Sequence, residues 1–167
     1  DRTMAFKFKG GEDNDPGDDN PGTDDPGNDN PVIDPTDDYL FYESFNQNTG
    51  KGANDGNWSS TVANSTLTVD NDGWTFLKGY GGSKCARFGN GSTVGIATTP
   101  SFMIDEGATM TFKAAAWGSD GTTLMLSIDE GSATITPTTF TMKSSEWTDF
   151  KATIKGSGYA KVTFTPT

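Results

Sequence analysis

Residues 74–88 read Trp-Thr-Phe-Leu-Lys-Gly-Tyr-Gly-Gly-Ser-Lys-Cys-Ala-Arg-Phe. Short aromatic and apolar runs broken by glycine predict a hairpin here. Residues 74–77 form its first strand, Gly79, Gly81 and Gly82 its turn, and residues 84–88 its second strand. Nowhere in the chain does a stretch of helical length carry apolar residues at i, i+3, i+4 and i+7. Outward from the hairpin, the same texture repeats. Residues 108–117 alternate Met110, Phe112, Ala114 and Ala116 with Thr109, Thr111, Lys113 and Ala115, a strand with one buried and one wet face. Further strands are expected at 94–99, 122–128, 133–136, 139–142, 146–154 and 160–164, and upstream at 39–45, 60–63 and 66–69. About eleven short strands with turn signals between them predict an all-β fold, a β-sandwich of two antiparallel sheets.

Charge is divided unevenly. Of the net −11, all is contributed by residues 11–38, which hold eleven acids and no base; the remaining twelve acids match the twelve Lys and Arg. A near-neutral folded part has no basic face to displace counterions, which excludes nucleic acid as a partner. No apolar run approaches the ~18 residues of a membrane span, so membrane insertion is not expected either. The chain has no histidine, which removes Ser-His and Cys-His catalysis. Cys85 is the only cysteine, and its place in an apolar strand reads as a buried small hydrophobe. The acid pairs Asp105-Glu106 and Asp129-Glu130 sit in turns beside Gly107 and Gly131, unlike carboxylates that flank a cleft from different elements. No enzyme is expected.

Pro16, Pro21, Pro26 and Pro31 recur every five residues in a stretch with no aromatic, too apolar-poor to offset its ordering entropy. Residues 11–35 therefore read as a disordered spacer that would reach on the order of 80 Å if extended. Before it, Met4, Phe6 and Phe8 alternate with Lys7 and Lys9 as a strand. Two places are open to that strand: the end of a preceding domain, favoured by the length of the spacer, or the sheet of this domain. The expected organisation is a strand ending a preceding domain (1–10), an acidic low-complexity linker (11–38) and a β-sandwich domain (39–167). Because Asp1 opens directly on a strand-like run, the chain reads as a fragment of a longer protein.

Over residues 41–164 the order of features resembles the jelly-roll β-sandwich modules of Bacteroidetes secreted and surface proteins. The likeness is in the style of choice-of-anchor, MAM-like and galactose-binding-like carbohydrate-binding domains. It is carried by Tyr42-Glu43-Ser44-Phe45, Asn54-Asp55-Gly56-Asn57-Trp58, Gly73-Trp74, the run 83–88, Thr98-Thr99-Pro100, the strand 109–117 and Glu146-Trp147-Thr148-Asp149-Phe150. The resemblance implies a jelly roll at the cell surface or outside the cell, in a glycan-degrading enzyme, adhesin or lipoprotein, working beside neighbouring domains of the same chain. One departure is that such modules commonly close with a further strand after the segment matching 162–164; two readings are open, that this strand lies beyond Thr167 or that the strand at residues 4–8 fills its place.

The resemblance also implies a structural calcium ion near the first strand, with Glu43, Asn54, Asp55 and Asp149 as its ligands. Calcium takes six to eight oxygens, and a glycine-rich polar loop can supply carbonyls. For a polysaccharide or glycoprotein glycan, the platforms are Trp58, Trp74, Tyr80 and Trp117, with Asn57, Asn71, Asp72 and Asn90 as polar partners. Trp58 and Tyr80 lie among glycines and have the least reason to be core; Trp147 reads as core beside Phe150. The opposing reading is a structural spacer domain with no ligand of its own.

Overall fold

The computed structural model describes residues 2–10, 39–58 and 65–167, the first group as backbone alone. Among the described residues there are fourteen strands and no helix. In chain order they are β1 Arg2–Gly10, β2 Phe41–Glu43, β3 Thr75–Leu77, β4 Gly79–Gly82, β5 Cys85–Phe88, β6 Ile96–Thr98 and β7 Phe102–Ile104. The second half holds β8 Ala108–Ala116, β9 Thr123–Ile128, β10 Thr134–Thr136, β11 Thr139–Thr141, β12 Thr148–Lys155, β13 Gly158–Ala160 and β14 Val162–Pro166. They form an all-β, sandwich-like fold of antiparallel sheets. A seven-stranded sheet runs β10-β12-β8-β1-β5-β4, with β2 also paired to β1. A five-stranded sheet runs β11-β9-β14-β6-β3, and β13 and β7 make a separate ribbon.

The alternation read in residues 108–117 holds. Met110, Phe112, Ala114 and Ala116 are buried and belong to the main core. Phe112 meets Phe150 of its own sheet at 5.4 Å, and Phe140 and Phe164 of the other sheet at 5.3 and 5.5 Å between ring centroids. Each ring removed from water is worth about 1.5–3 kcal/mol, and edge-to-face pairs add about 0.5–1.5. This group joins the two sheets.

The hairpin expected at 74–88 does not form as expected. β3 pairs with β6 in the five-stranded sheet, whereas β4 and β5 make a hairpin in the seven-stranded one. The residues read as the turn are the strand β4. Lys78, at φ 55°, is the bend where the chain passes from one sheet to the other. The glycines answer to close approach: a Cβ on Gly79 would lie 2.6 Å from the Phe76 Cβ, and one on Gly81 2.7 Å from the Thr66 carbonyl oxygen. Residues 66–69 also differ from expectation, since no sheet ladder holds them. Instead the Asn48 side chain donates to the Thr68 carbonyl (2.8 Å) and accepts from its N–H (2.7 Å). The strand expected at 60–63 and the linker at 11–38 lie outside the described residues.

Of the two places open to the first strand, its backbone takes the second. β1 pairs with β8 over nine residues, from Arg2↔Ala116 to Gly10↔Ala108. Its other edge is shared: positions 2–4 pair with β5 and positions 6–8 with β2. Positions 4, 6 and 8 are in register with Ala114, Phe112 and Met110, the buried row of β8. A period-2 strand fits a half-buried sheet only in the register that keeps its apolar set on the core side. The register observed agrees with the Met4, Phe6, Phe8 pattern of the sequence.

Candidate functional site

The outer face of the seven-stranded sheet carries a second, smaller buried layer. In β5, Ala86 and Phe88 belong to the main core, so the alternate residues Cys85 and Arg87 lie on the opposite face. Register extends this row across the sheet: Tyr80↔Arg87, Arg87↔position 3, and position 3↔Ala115. Cys85 and Ala115 are fully buried, and Ala53 and Arg87 are each 3% exposed, yet none belongs to the main core. Ala53 belongs to the loop 46–58, which is bridged to the β4–β5 turn at Thr49↔Ser83 and Ala53↔Ser83. Satellite clusters of this kind form under long loops.

Around that layer stand four half-buried rings. Trp58 lies 5.6 Å from Trp117 and 5.7 Å from Trp147, both steeply inclined. The Arg87 guanidinium sits 4.4 Å from the Trp117 ring centroid and 6.0 Å from that of Tyr80. Contacts within about 6 Å are attractive, and more so where water is excluded. Burial pushes the Arg87 pKa down to about 10, with partial opposition from Cys85 and Tyr80, so it stays cationic at neutral pH. Burial pushes the Cys85 thiol up to about 12, which keeps it protonated and inert. Gly52 (φ 100°) lies against Trp117 so closely that an added Cβ would be 2.2 Å from its Cη2. A separate cleft of about 260 Å³, to which none of these rings contributes, lies between residues 88–95, Asp120-Gly121 and Pro166.

Three of the four rings expected to be platforms are thus gathered: Trp58, Tyr80 and Trp117. Trp74 is placed elsewhere. It packs against Phe41, Phe45 and Phe76, with its indole N–H donated to Glu43. Trp147, read as core beside Phe150, stands with Trp58 instead. Arg87 was not foreseen.

The residues expected to bind calcium are engaged with separate partners. Glu43, fully buried, accepts from the N–H groups of Asp70 (2.8 Å), Asn71 (3.1 Å), Phe45 (3.3 Å) and the Trp74 indole (3.0 Å), and from the Asn71 amide (3.3 Å). Asn54 donates to the Lys84 carbonyl, Asp55 accepts from Gly52 and Asn57, and Asp149 faces Lys113 at 3.8 Å across two strands. No group of three or more acidic, cysteine or histidine side chains is placed to hold a metal among the described residues. A carboxylate that already receives five N–H groups leaves little lone-pair capacity for a cation. With these hydrogen bonds in place the melting temperature is expected to be the same in calcium and in EDTA; a calcium-dependent rise would show that the folded domain binds the ion.

Beside Glu43, Asp70 accepts from the Ser44 N–H (2.8 Å), the Ser44 hydroxyl and the Gln47 amide (3.0 Å). Burial acts to raise its pKa, but these hydrogen bonds, Ser44 first, outweigh it and hold the carboxyl below its ordinary value. Tyr42 is pushed up, by burial first and then by the charges of Asp70 and Glu43. This acidic knot ties the turn at 70–74 to β2, and it belongs to the scaffold. Comparison with protein-family models, with curated proteins and with solved structures finds no match to this chain.

Proposed function

We propose that this chain is a non-catalytic binding or adhesion module of jelly-roll type, part of a secreted or surface-anchored multidomain protein, with a polysaccharide or glycoprotein glycan as ligand. The observation that carries the reading is the gathering of Trp58, Tyr80 and Trp117 with Trp147 and Arg87 on one outer sheet face. Rigid rings offer flat apolar area at low entropic cost, which suits the C–H faces of a sugar ring, while a fixed cation orients polar groups. The neighbouring domains of the full protein would supply any catalysis.

One observation favours the rival reading, a spacer domain with no ligand. Trp117 is partly covered by Gly52, and the three indoles pack on one another, as a satellite core would. The two readings part at Tyr80, which stands at the margin of the cluster. Tyr80→Ala should weaken retention on a polysaccharide affinity gel by roughly tenfold, about 1.4 kcal/mol, with an unchanged melting temperature. Trp58→Ala should abolish retention, though its two indole contacts predict some loss of stability. Unretarded migration of the wild type on every glycan gel would favour the spacer.

A further inference from the structure

The aromatic row shares its sheet face with a second group of side chains. Thr148 pairs with Ala114, so one residue further on Trp147 stands opposite Ala115 and ends the row that begins at Tyr80. Two residues along the same strands, the outer face changes character. Its facing positions in β8 and β12 are Lys113 and Asp149, then Thr111 and Lys151, then Thr109 and Thr153, with Lys155 opposite Thr134 of β10. Thr111 and Lys113 are exposed, as are Asp149, Lys151, Thr153 and Lys155. β1 contributes positions 7 and 9, both lysine in the sequence, in register with Thr111 and Thr109. Positions 7, 9, 113, 151 and 155 thus place five of the chain's twelve basic residues in these rows, against one acid, Asp149.

The near-neutral sum over the folded part conceals this division. Position 7 and Lys151 lie opposite Thr111 from either side, and each is a diagonal neighbour of Lys113, at about 7–8 Å. Like charges held so close oppose folding. Among the described residues, the one ion pair on this face joins Lys113 to Asp149 at 3.8 Å, with both side chains mostly exposed. Such a pair offsets little. An anion laid along the rows would relieve the repulsion.

We propose that the ligand of the aromatic face is an anionic polysaccharide. Its sugar rings meet the cluster of Trp58, Tyr80 and Trp117, and its carboxylate or sulfate groups reach Lys113, Lys151 and Lys155. This rests on the glycan-binding reading above and names the ligand class of that site. Lysine is a point charge on a flexible stem, which suits anions repeated along a polymer better than one group held in a fixed fork. The whole chain, at −11, lacks the basic excess of a nucleic-acid binder, so the polymer that fits is a glycan.

Matched polymers test the proposal. The full chain is run on affinity gels at physiological ionic strength, one pair holding polygalacturonate or its methyl ester, a second dextran sulfate or dextran. Each pair differs in charge on a shared backbone, and the pair that discriminates tells carboxylate from sulfate. At least one charged polymer should retain the chain about tenfold more tightly than its neutral twin. Lys151→Glu combined with Lys155→Glu should remove most of that advantage at an unchanged melting temperature, and Tyr80→Ala should weaken retention as well. Equal retention by charged and neutral twins would overturn the anionic class and leave glycan binding standing. Retention on the charged gels that Tyr80→Ala leaves unmoved, or that a thymidine oligonucleotide matches, would mean ion exchange alone and overturn it too. Absence of retention on all four gels would sink both readings.

Discussion

Deletion of residues 1–10 is expected to abolish cooperative unfolding of the whole domain. β1 supplies one ladder partner to all nine residues of β8 and to parts of β5 and β2. Without it, three strands become edges in the middle of a sheet, and their N–H and C=O groups lose partners at about 1–3 kcal/mol for each that stays buried. The core row of Met110, Phe112 and Ala114 also loses its lateral neighbour. Domains of this size hold only about 5–15 kcal/mol of net stability, so the summed loss exceeds what is available. Circular dichroism during heating should show a broad, low-amplitude change in the deleted chain and a sharp transition in the full chain. A sharp transition within a few degrees of the full chain's would show that the domain folds without β1.

Glu43→Gln is expected to lower the melting temperature by roughly 10 °C, corresponding to about 3 kcal/mol. The carboxylate is fully buried between Phe41 and Phe45 and collects consecutive backbone N–H groups from Asp70 and Asn71, the arrangement of an anion-binding nest. An amide of the same shape turns an NH₂ toward donors that need an acceptor. Either the Trp74 indole N–H or the turn at 70–71 is then left unpaired. Differential scanning calorimetry on the pair decides it: a shift under about 2 °C would mean that the donors find water instead.

Much of this was legible in the sequence, and the exceptions have physical causes. The alternation at 108–117 shows its buried face because β8 is long and wet on one side only. Residues 74–88 misled because periodicity marks strands and not their partners. Two strands separated by one bend look the same whether they pair together or enter opposite sheets. Lys78 at positive φ carries no glycine or asparagine to announce the bend. Gly79, Gly81 and Gly82 suggested a turn, but their small size serves contact with Phe76, Thr66 and Cys85. Arg87 escaped notice because a cation in a strand reads as solvent-facing. Cys85 and Ala115 on the same face are the signal that this face is covered. Glu43 could not be told from a metal ligand, because a carboxylate on an aromatic strand serves either role and its partners lie 27–31 residues away.

The aromatic face is the centre of the account, and tryptophan fluorescence reports on it directly, since three of the four tryptophans of the chain stand there and Trp74 does not. Titration of the full chain with a panel of soluble polysaccharides should give a saturable change in emission with at least one of them. That change should persist in Trp74→Phe and need about tenfold more glycan in Tyr80→Ala. Emission unmoved by every glycan, or moved equally in Tyr80→Ala, would contradict a ligand-binding role for this face.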